Sequence, residues 1–173
     1  MQNDTFPDQS GGRPAWLKDL TESEGLLVWT FRHWCAGAVT EDHRHWFLVR
    51  KAFSERLGAE RGRLALVCFE RLFRSLAAHG LRPLRYHRPC CPCLGEDEVW
   101  LVSLVAACQR GVAAGFGVAY GHVGEAGLAG FCETAIAFAT AFGGALPWHD
   151  LGQPPGQSVT FERAARPGPE RVH

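Results

Sequence analysis

The stretch from Glu96 to Ala114 reads EDEVWLVSLVAACQRGVAA, and it decides the fold. Three acidic residues at its start suit the positive end of a helix dipole, so they predict a helix N-terminus there. Apolar residues then fall on nearly every face of this helix, which is typical of an element surrounded by protein. We therefore predict a central, buried helix over 96–114, with the rest of the domain packed around it.

Four further helices are predicted from capping and stop signals. The segment Thr21 to Glu24 is a capping box that opens the first helix, which we expect to run to about Cys35 and to stop at Gly37. The segment Thr40 to Asp42 opens the second helix, because its acidic side chains can cap free amides. The other two are expected at about 60–79 and 124–142. No sustained period-two alternation occurs, so the sequence predicts an all-α fold, a compact bundle of about five helices.

The chain is expected to form one domain with flexible ends. Residues 1–20 are predicted to be a flexible lead-in, residues 21–150 a single helical domain, and residues 151–173 a flexible tail. Between the third and fourth helices, three prolines fall from Leu81 to Cys93 and exclude a regular helix there. This segment is therefore predicted to be a Pro/Cys-rich crossover loop.

Hydropathy and cysteine content point to a reducing compartment. No run of about 18 uncharged apolar residues occurs, so no membrane-spanning helix and no membrane association are predicted. The first residues lack the basic start and apolar core of a secretory signal. Seven cysteines cannot all pair within one chain, and in a cytoplasm they would stay free, bind metal or do redox work. We therefore expect a cytoplasmic protein.

The segment His87-Arg88-Pro89-Cys90-Cys91-Pro92-Cys93 concentrates potential metal ligands. Thiolate and imidazole are the ligands that soft and borderline metals prefer, and prolines stiffen the loop. The predicted metal ligands are His87, Cys90, Cys91 and Cys93. The spacings from His87 to Cys90 and to Cys91 suit one tetrahedral ion, whereas the Cys91-Pro92-Cys93 spacing is tighter than in a zinc knuckle. Adjacent cysteines rarely share one ion, so the loop is expected to supply three ligands.

A fourth ligand would have to come from elsewhere in the chain. The candidates flank the turn between the first two helices, and they are His33, Cys35, His43 and His45. Zinc is the expected ion, because histidine and thiolate commonly bind it together. Copper or an iron–sulfur cluster is also compatible with this loop.

Three functions are compatible with these features. The leading prediction is a small cytoplasmic metal-binding accessory or regulatory protein of the zinc class. The second is a thiol-redox or nucleic-acid-binding regulator that uses the Arg-rich region 44–88. For the redox function, a helix N-terminus just downstream would lower the pKa of a nearby cysteine, although the acids from Glu96 to Glu98 oppose a thiolate. The third is a structural protein-interaction module without metal. An enzyme is less expected, because no serine sits in a nucleophile elbow and the long helices lack the Glu-x-x-His pattern.

Charge is strongly segregated along a chain whose net charge is zero. Residues 44–88 carry eleven basic and three acidic side chains, and such a region can attract anions. The turn at Leu57-Gly58-Ala59 could belong to a helix-turn-helix, but a glycine between two helices is common. The acidic segments on either side should balance the basic one, so nucleic acid is not the expected partner.

A homodimer is the expected assembly, and a separate protein partner is also compatible with the sequence. The last helix is rich in glycine and alanine, and the central helix is apolar almost all round. One five-helix bundle has limited surface to cover both elements, and an exposed apolar surface usually marks an interface. A two-fold dimer is the commonest solution.

Overall fold

The protein folds into an α-helical bundle, as predicted. The computed structural model describes residues 16–147 and the backbone of residues 159–160. Over this part of the chain there are six helices, one more than expected: α1 Glu22–Thr40, α2 His43–Leu57, α3 Ala59–His79, α4 Glu96–Arg110, α5 Val112–Ala119 and α6 Glu125–Phe142. A single 3-10 turn, Leu17–Asp19, precedes α1. Strands β1 Arg85–Tyr86 and β2 Val159–Thr160 pair antiparallel, with Arg85 opposite Thr160.

The predicted flexible ends lie mostly outside the described residues. Residues 1–15 of the lead-in lie outside, as do residues 148–158 and 161–173 around β2. The end of the lead-in does contact the domain, because the Leu17 amide donates to the Pro92 carbonyl at 2.8 Å. None of the six described helices combines the length and apolar character that crossing a bilayer requires.

The first helix is longer than expected because Gly37 does not end it. Helix α1 begins at the predicted capping box, where the Thr21 amide donates to Glu24 Oε2 at 2.8 Å. Gly37 lies inside the helix, and a Cβ there would be 2.7 Å from Nε1 of Trp46 on α2. Its missing side chain therefore admits the tryptophan. The helix ends instead at Thr40, and the next residue, Glu41, caps it in a left-handed conformation with φ of 55°.

The central helix is shorter than expected, but it is buried as predicted. Every side chain from Asp97 to Cys108 on α4 is buried. The helix ends at Arg110 because Gly111 adopts a φ of 145°, a conformation that other residues rarely adopt. The chain then turns into the separate helix α5.

The core is centred on Phe69 of α3, which packs between α2 and α6. Its ring centroid lies between 4.6 and 5.7 Å from the centroids of four other aromatic rings, those of Trp34, Phe53, Phe73 and Phe138. These rings belong to α1, α2, α3 and α6. One aromatic cluster therefore joins four of the helices.

Gly62 allows α3 to approach the backbone of α2. A Cβ at this position would lie 2.6 Å from the Phe53 carbonyl carbon and 2.8 Å from the Ser54 amide nitrogen. We expect Gly62→Ala to lower the free energy of unfolding by about 1–3 kcal/mol, because these backbone atoms can move only if the helices separate. Gly25→Ala on α1, where a Cβ meets nothing within 4 Å, should instead raise it by up to about 1 kcal/mol. Urea unfolding followed by circular dichroism measures both, and equal effects would contradict the close approach.

Candidate functional site

A buried ion pair between α1 and α4 lies beneath the cysteine loop, defined here as residues 87–94. Arg32 Nε donates to Glu98 Oε1 and Arg32 Nη2 donates to Glu98 Oε2, each at 2.8 Å. The two side chains are 1% and 0% exposed. Two parallel hydrogen bonds are a strong arrangement between an arginine and a carboxylate, and here they balance two charges that water does not reach.

The other donors of Arg32 point into the cysteine loop. Its Nη1 donates to the carbonyls of Arg88 at 3.4 Å and Cys91 at 2.5 Å, and its Nη2 donates to the carbonyl of Cys93 at 2.5 Å. With the two bonds to Glu98, all five N–H groups of the guanidinium have an acceptor. The loop backbone is therefore held from its inner side by a side chain of α1.

The acids at the start of α4 hold the backbone on both sides of the loop. Glu98 accepts hydrogen bonds from the amides of His87 and Gly95, both at 2.8 Å. Asp97 accepts from the Arg85 amide at 2.6 Å and from both terminal nitrogens of Arg82 at 2.5 and 2.8 Å. From the sequence, these acids were expected only to stabilise the helix dipole. Their position on a helix that was predicted to be buried could have indicated this role, because a buried carboxylate needs hydrogen-bond donors or a cation beside it.

The loop brings two of its three thiols together. Pro89 occupies the second position of a turn closed by the Cys91 amide, which donates to the Arg88 carbonyl at 2.9 Å. Cys90 is exposed, whereas Cys91 and Cys93 are half-buried. Burial and a hydrogen bond with the Cys91 thiol raise the pKa of the Cys93 thiol. Cys91 and Cys93 therefore form a pair of neighbouring thiols.

His87 and Cys90 do not complete a ligand set with this pair. The His87 ring is buried, and its Nε2 has no hydrogen-bond partner in the described part of the chain. Within residues 16–147, no three side chains of histidine, cysteine, aspartate or glutamate converge as metal ligands would. The structure places Cys91 and Cys93 in contact, and within residues 16–147 neither His87 nor Cys90 joins them as a third ligand.

Two of the four additional candidates, His33 and His45, meet each other. Their Nδ1 atoms are 2.8 Å apart, so one ring donates a hydrogen bond to the other. Burial, and then the neighbouring His45, lower the pKa of His33 to about 4. His33 is therefore neutral near pH 7, and its ring also packs on that of Trp29. The pair joins α1 to α2, and no loop cysteine joins it.

The other two additional candidates lie apart from this pair. The His43 ring packs edge-on against the Trp46 ring, with centroids 5.2 Å apart. Cys35 is only 3% exposed. Burial, and then the charge of Glu98, raise the pKa of Cys35 well above its usual value. Cys35 is therefore a neutral, apolar part of the interior.

The chain matches no protein-family model, and no curated protein or solved structure is significantly similar to it. Its function therefore has to follow from its own side chains. Cys91 and Cys93 form the arrangement with the most evident chemistry, since two adjacent thiols can bind a soft metal ion or form a disulfide.

Proposed function

We propose that the chain is a cytoplasmic accessory or regulatory protein that binds a thiophilic metal ion through Cys91 and Cys93. The contact between these two thiols, on a backbone held by Arg32, is the observation that supports this proposal. Ligands that are already held in place lose little conformational freedom on binding.

The ligand number favours a Cu(I)-class ion over zinc. Soft thiolates select Cu(I), which accepts two of them, whereas structural zinc almost always takes four ligands. Zinc would need His87 and Cys90 to turn toward the thiol pair. That movement would disturb the carbonyls that accept hydrogen bonds from Arg32.

Titration of the reduced protein with Cu(I), in competition with a chromophoric chelator, should show one ion per chain. Cys91→Ser and Cys93→Ser should each weaken binding by more than about 100-fold, because even a group that only orients a ligand contributes 10–100-fold. The ion must also displace the proton of Cys93, whose pKa is raised, so the apparent affinity should increase as the pH rises.

Cys90→Ser is the matched control for this titration. Its thiol is exposed and lies next in sequence to Cys91, so its loss should leave the affinity unchanged. A parallel titration with Zn²⁺ should show weaker binding, because only two thiols are in contact. Equal Cu(I) affinity in the wild type, Cys91→Ser and Cys93→Ser would contradict the proposal.

The contact between the thiols also supports the thiol-redox alternative. Oxidation would join Cys91 Sγ to Cys93 Sγ and pass two electrons and two protons to an external oxidant. The thiolate is the attacking species in that chemistry, and the raised pKa of Cys93 keeps it scarce near neutral pH. A metal ion supplies the positive charge that a thiolate needs, so metal binding is the preferred proposal.

We also propose that the protein forms a homodimer, and the burial of α4 limits the helices that could form its interface. Helix α4 cannot supply the interface, because its side chains from Asp97 to Cys108 are buried within the chain. Helix α6 exposes a face on which the small residues Ala126, Ala129, Gly130 and Ala137 surround Glu133. This face is the candidate contact between two copies.

Intrachain ion pairs support the expectation that nucleic acid is not the partner. In the basic region 44–88, Arg44 pairs with Asp42 and Arg56 pairs with Glu22. Cations that already have acidic neighbours contribute less to a surface potential that attracts phosphates.

A further inference from the structure

An apolar groove lies between α1, α3 and the crossover, away from the thiol pair of the proposed function. Its volume is about 420 Å³, which is within the range of small-molecule sites. The apolar side chains that line it include Trp34 and Cys35 of α1, Phe73, Leu76 and Ala77 of α3, and Leu84 of the crossover. Aromatic and aliphatic walls of this kind suit the apolar body of a ligand.

The charged side chains that line the groove are two arginines and one glutamate. Arg74 lies 3.7 Å from Glu70, which is too long for a hydrogen bond, and its side chain is 79% exposed. Asp97 and the Pro83 carbonyl hold the terminal nitrogens of Arg82, but these bonds do not use its Nε. Both guanidinium groups therefore keep N–H donors for a ligand. The lining side chains carry two positive charges and one negative charge, and the buried Asp97 behind Arg82 offsets the difference.

We propose that this groove binds an amphipathic carboxylate, a small molecule with an apolar body and one carboxylate group. The body would lie on Trp34, Phe73 and Leu84, while the carboxylate accepts hydrogen bonds from Arg74 and Arg82. Arginine is the side chain best suited to bind a carboxylate in this way. A multiply charged ligand such as a nucleotide fits less well, because the apolar walls would remove water from charges that they cannot balance.

The floor of the groove is consistent with a bound apolar body. The Cys35 thiol is buried there, and burial raises its pKa well above the usual value. The thiol is therefore neutral, so it offers the ligand an apolar contact. Neither Cys91 nor Cys93 lines the groove, so a ligand there would bind independently of a metal ion at the thiol pair.

Three amphiphiles with the same chain test the proposal: decanoate, decanol and decyltrimethylammonium. Each is titrated against the full-length, reduced protein carrying anilinonaphthalene sulfonate, a fluorescent anionic aromatic probe of the groove. Decanoate should displace the probe at least about fivefold more tightly than decanol, because only the carboxylate bonds to the two arginines. The cationic amphiphile should bind most weakly. Equal affinities for all three would overturn the proposal.

Two pairs of variants locate the binding. Arg74→Gln should weaken decanoate about fivefold and leave decanol unchanged, while Arg63→Gln removes the same charge on α3 outside the groove and should change neither. Ala77→Phe should abolish binding of both amphiphiles by filling the groove, whereas Ala78→Phe, at the adjacent exposed position, should not.

Circular dichroism shows whether Ala77→Phe remains folded. If it does not, Arg74→Gln still tests the proposal, because it changes only an exposed side chain. Decanoate binding that is unaffected by Arg74→Gln would overturn the assigned carboxylate contact. Cys93→Ser should bind decanoate as the wild type does, which separates this test from that of the metal site.

Discussion

Glu98→Gln is expected to lower the free energy of unfolding by about 3–5 kcal/mol, because it leaves the Arg32 guanidinium charged and uncompensated in the core. Glutamine has nearly the same shape, so the loss of packing is small. In the wild type, however, Arg32 Nη2 and the Gly95 amide both donate to Glu98 Oε2. An amide nitrogen at that position cannot accept these hydrogen bonds. Urea unfolding followed by circular dichroism measures the change.

An exposed ion pair provides the control for this prediction. Glu22 pairs with Arg56 on the surface, so Glu22→Gln should change the free energy of unfolding by less than about 1 kcal/mol. The double variant Arg32→Met with Glu98→Leu removes both buried charges, yet it should recover only part of the loss. It leaves the carbonyls of Cys91 and Cys93 without their donor. Equal effects of Glu98→Gln and Glu22→Gln would contradict the role of the buried pair.

Phe69→Ala is expected to lower the free energy of unfolding by about 3–5 kcal/mol. The ring is fully buried and contacts aromatic side chains of α1, α2 and α6, so its removal leaves a cavity at the meeting point of four helices. Thermal and urea unfolding both report the loss.

Leu64→Ala on the same helix is the matched control. Leu64 is 55% exposed, so its truncation should change the free energy of unfolding by no more than about 0.5 kcal/mol. A loss of similar size in both variants would mean that the aromatic cluster is not the centre of the core.

Local patterns in the sequence predicted the helices but not all of their ends. The all-round apolar pattern of α4 identified the central element, because burial on every side leaves no polar face. Two glycines have different effects on their helices. Gly111 lies between α4 and α5 and ends the first of them, whereas Gly37 lies within α1 and leaves room for the side chain of Trp46. Which behaviour occurs depends on the neighbouring helix, and no local pattern contains that information.

The candidate site was predictable in its residue types but not in its geometry. The cluster from His87 to Cys93 identified the loop, and Cys91 and Cys93 do meet. Arg32 was missed, because an arginine on an aromatic-rich helix suggests a surface position. Its partner Glu98 is 66 residues away in the sequence. Arg32 orients the loop carbonyls and so helps to bring Cys91 and Cys93 together. This long-range contact is visible only in the tertiary structure.

The hydrogen bonds of Arg32 also determine how the loop moves. A loop without regular structure usually opens locally at little cost, independently of the helices that it connects. Here, lifting residues 88–93 would remove three acceptors from a buried guanidinium, while moving α1 would leave Glu98 without its cation. The loop therefore belongs to the same cooperative unit as α1 and α4, and slow amide exchange at His87 and Gly95 would be its signature.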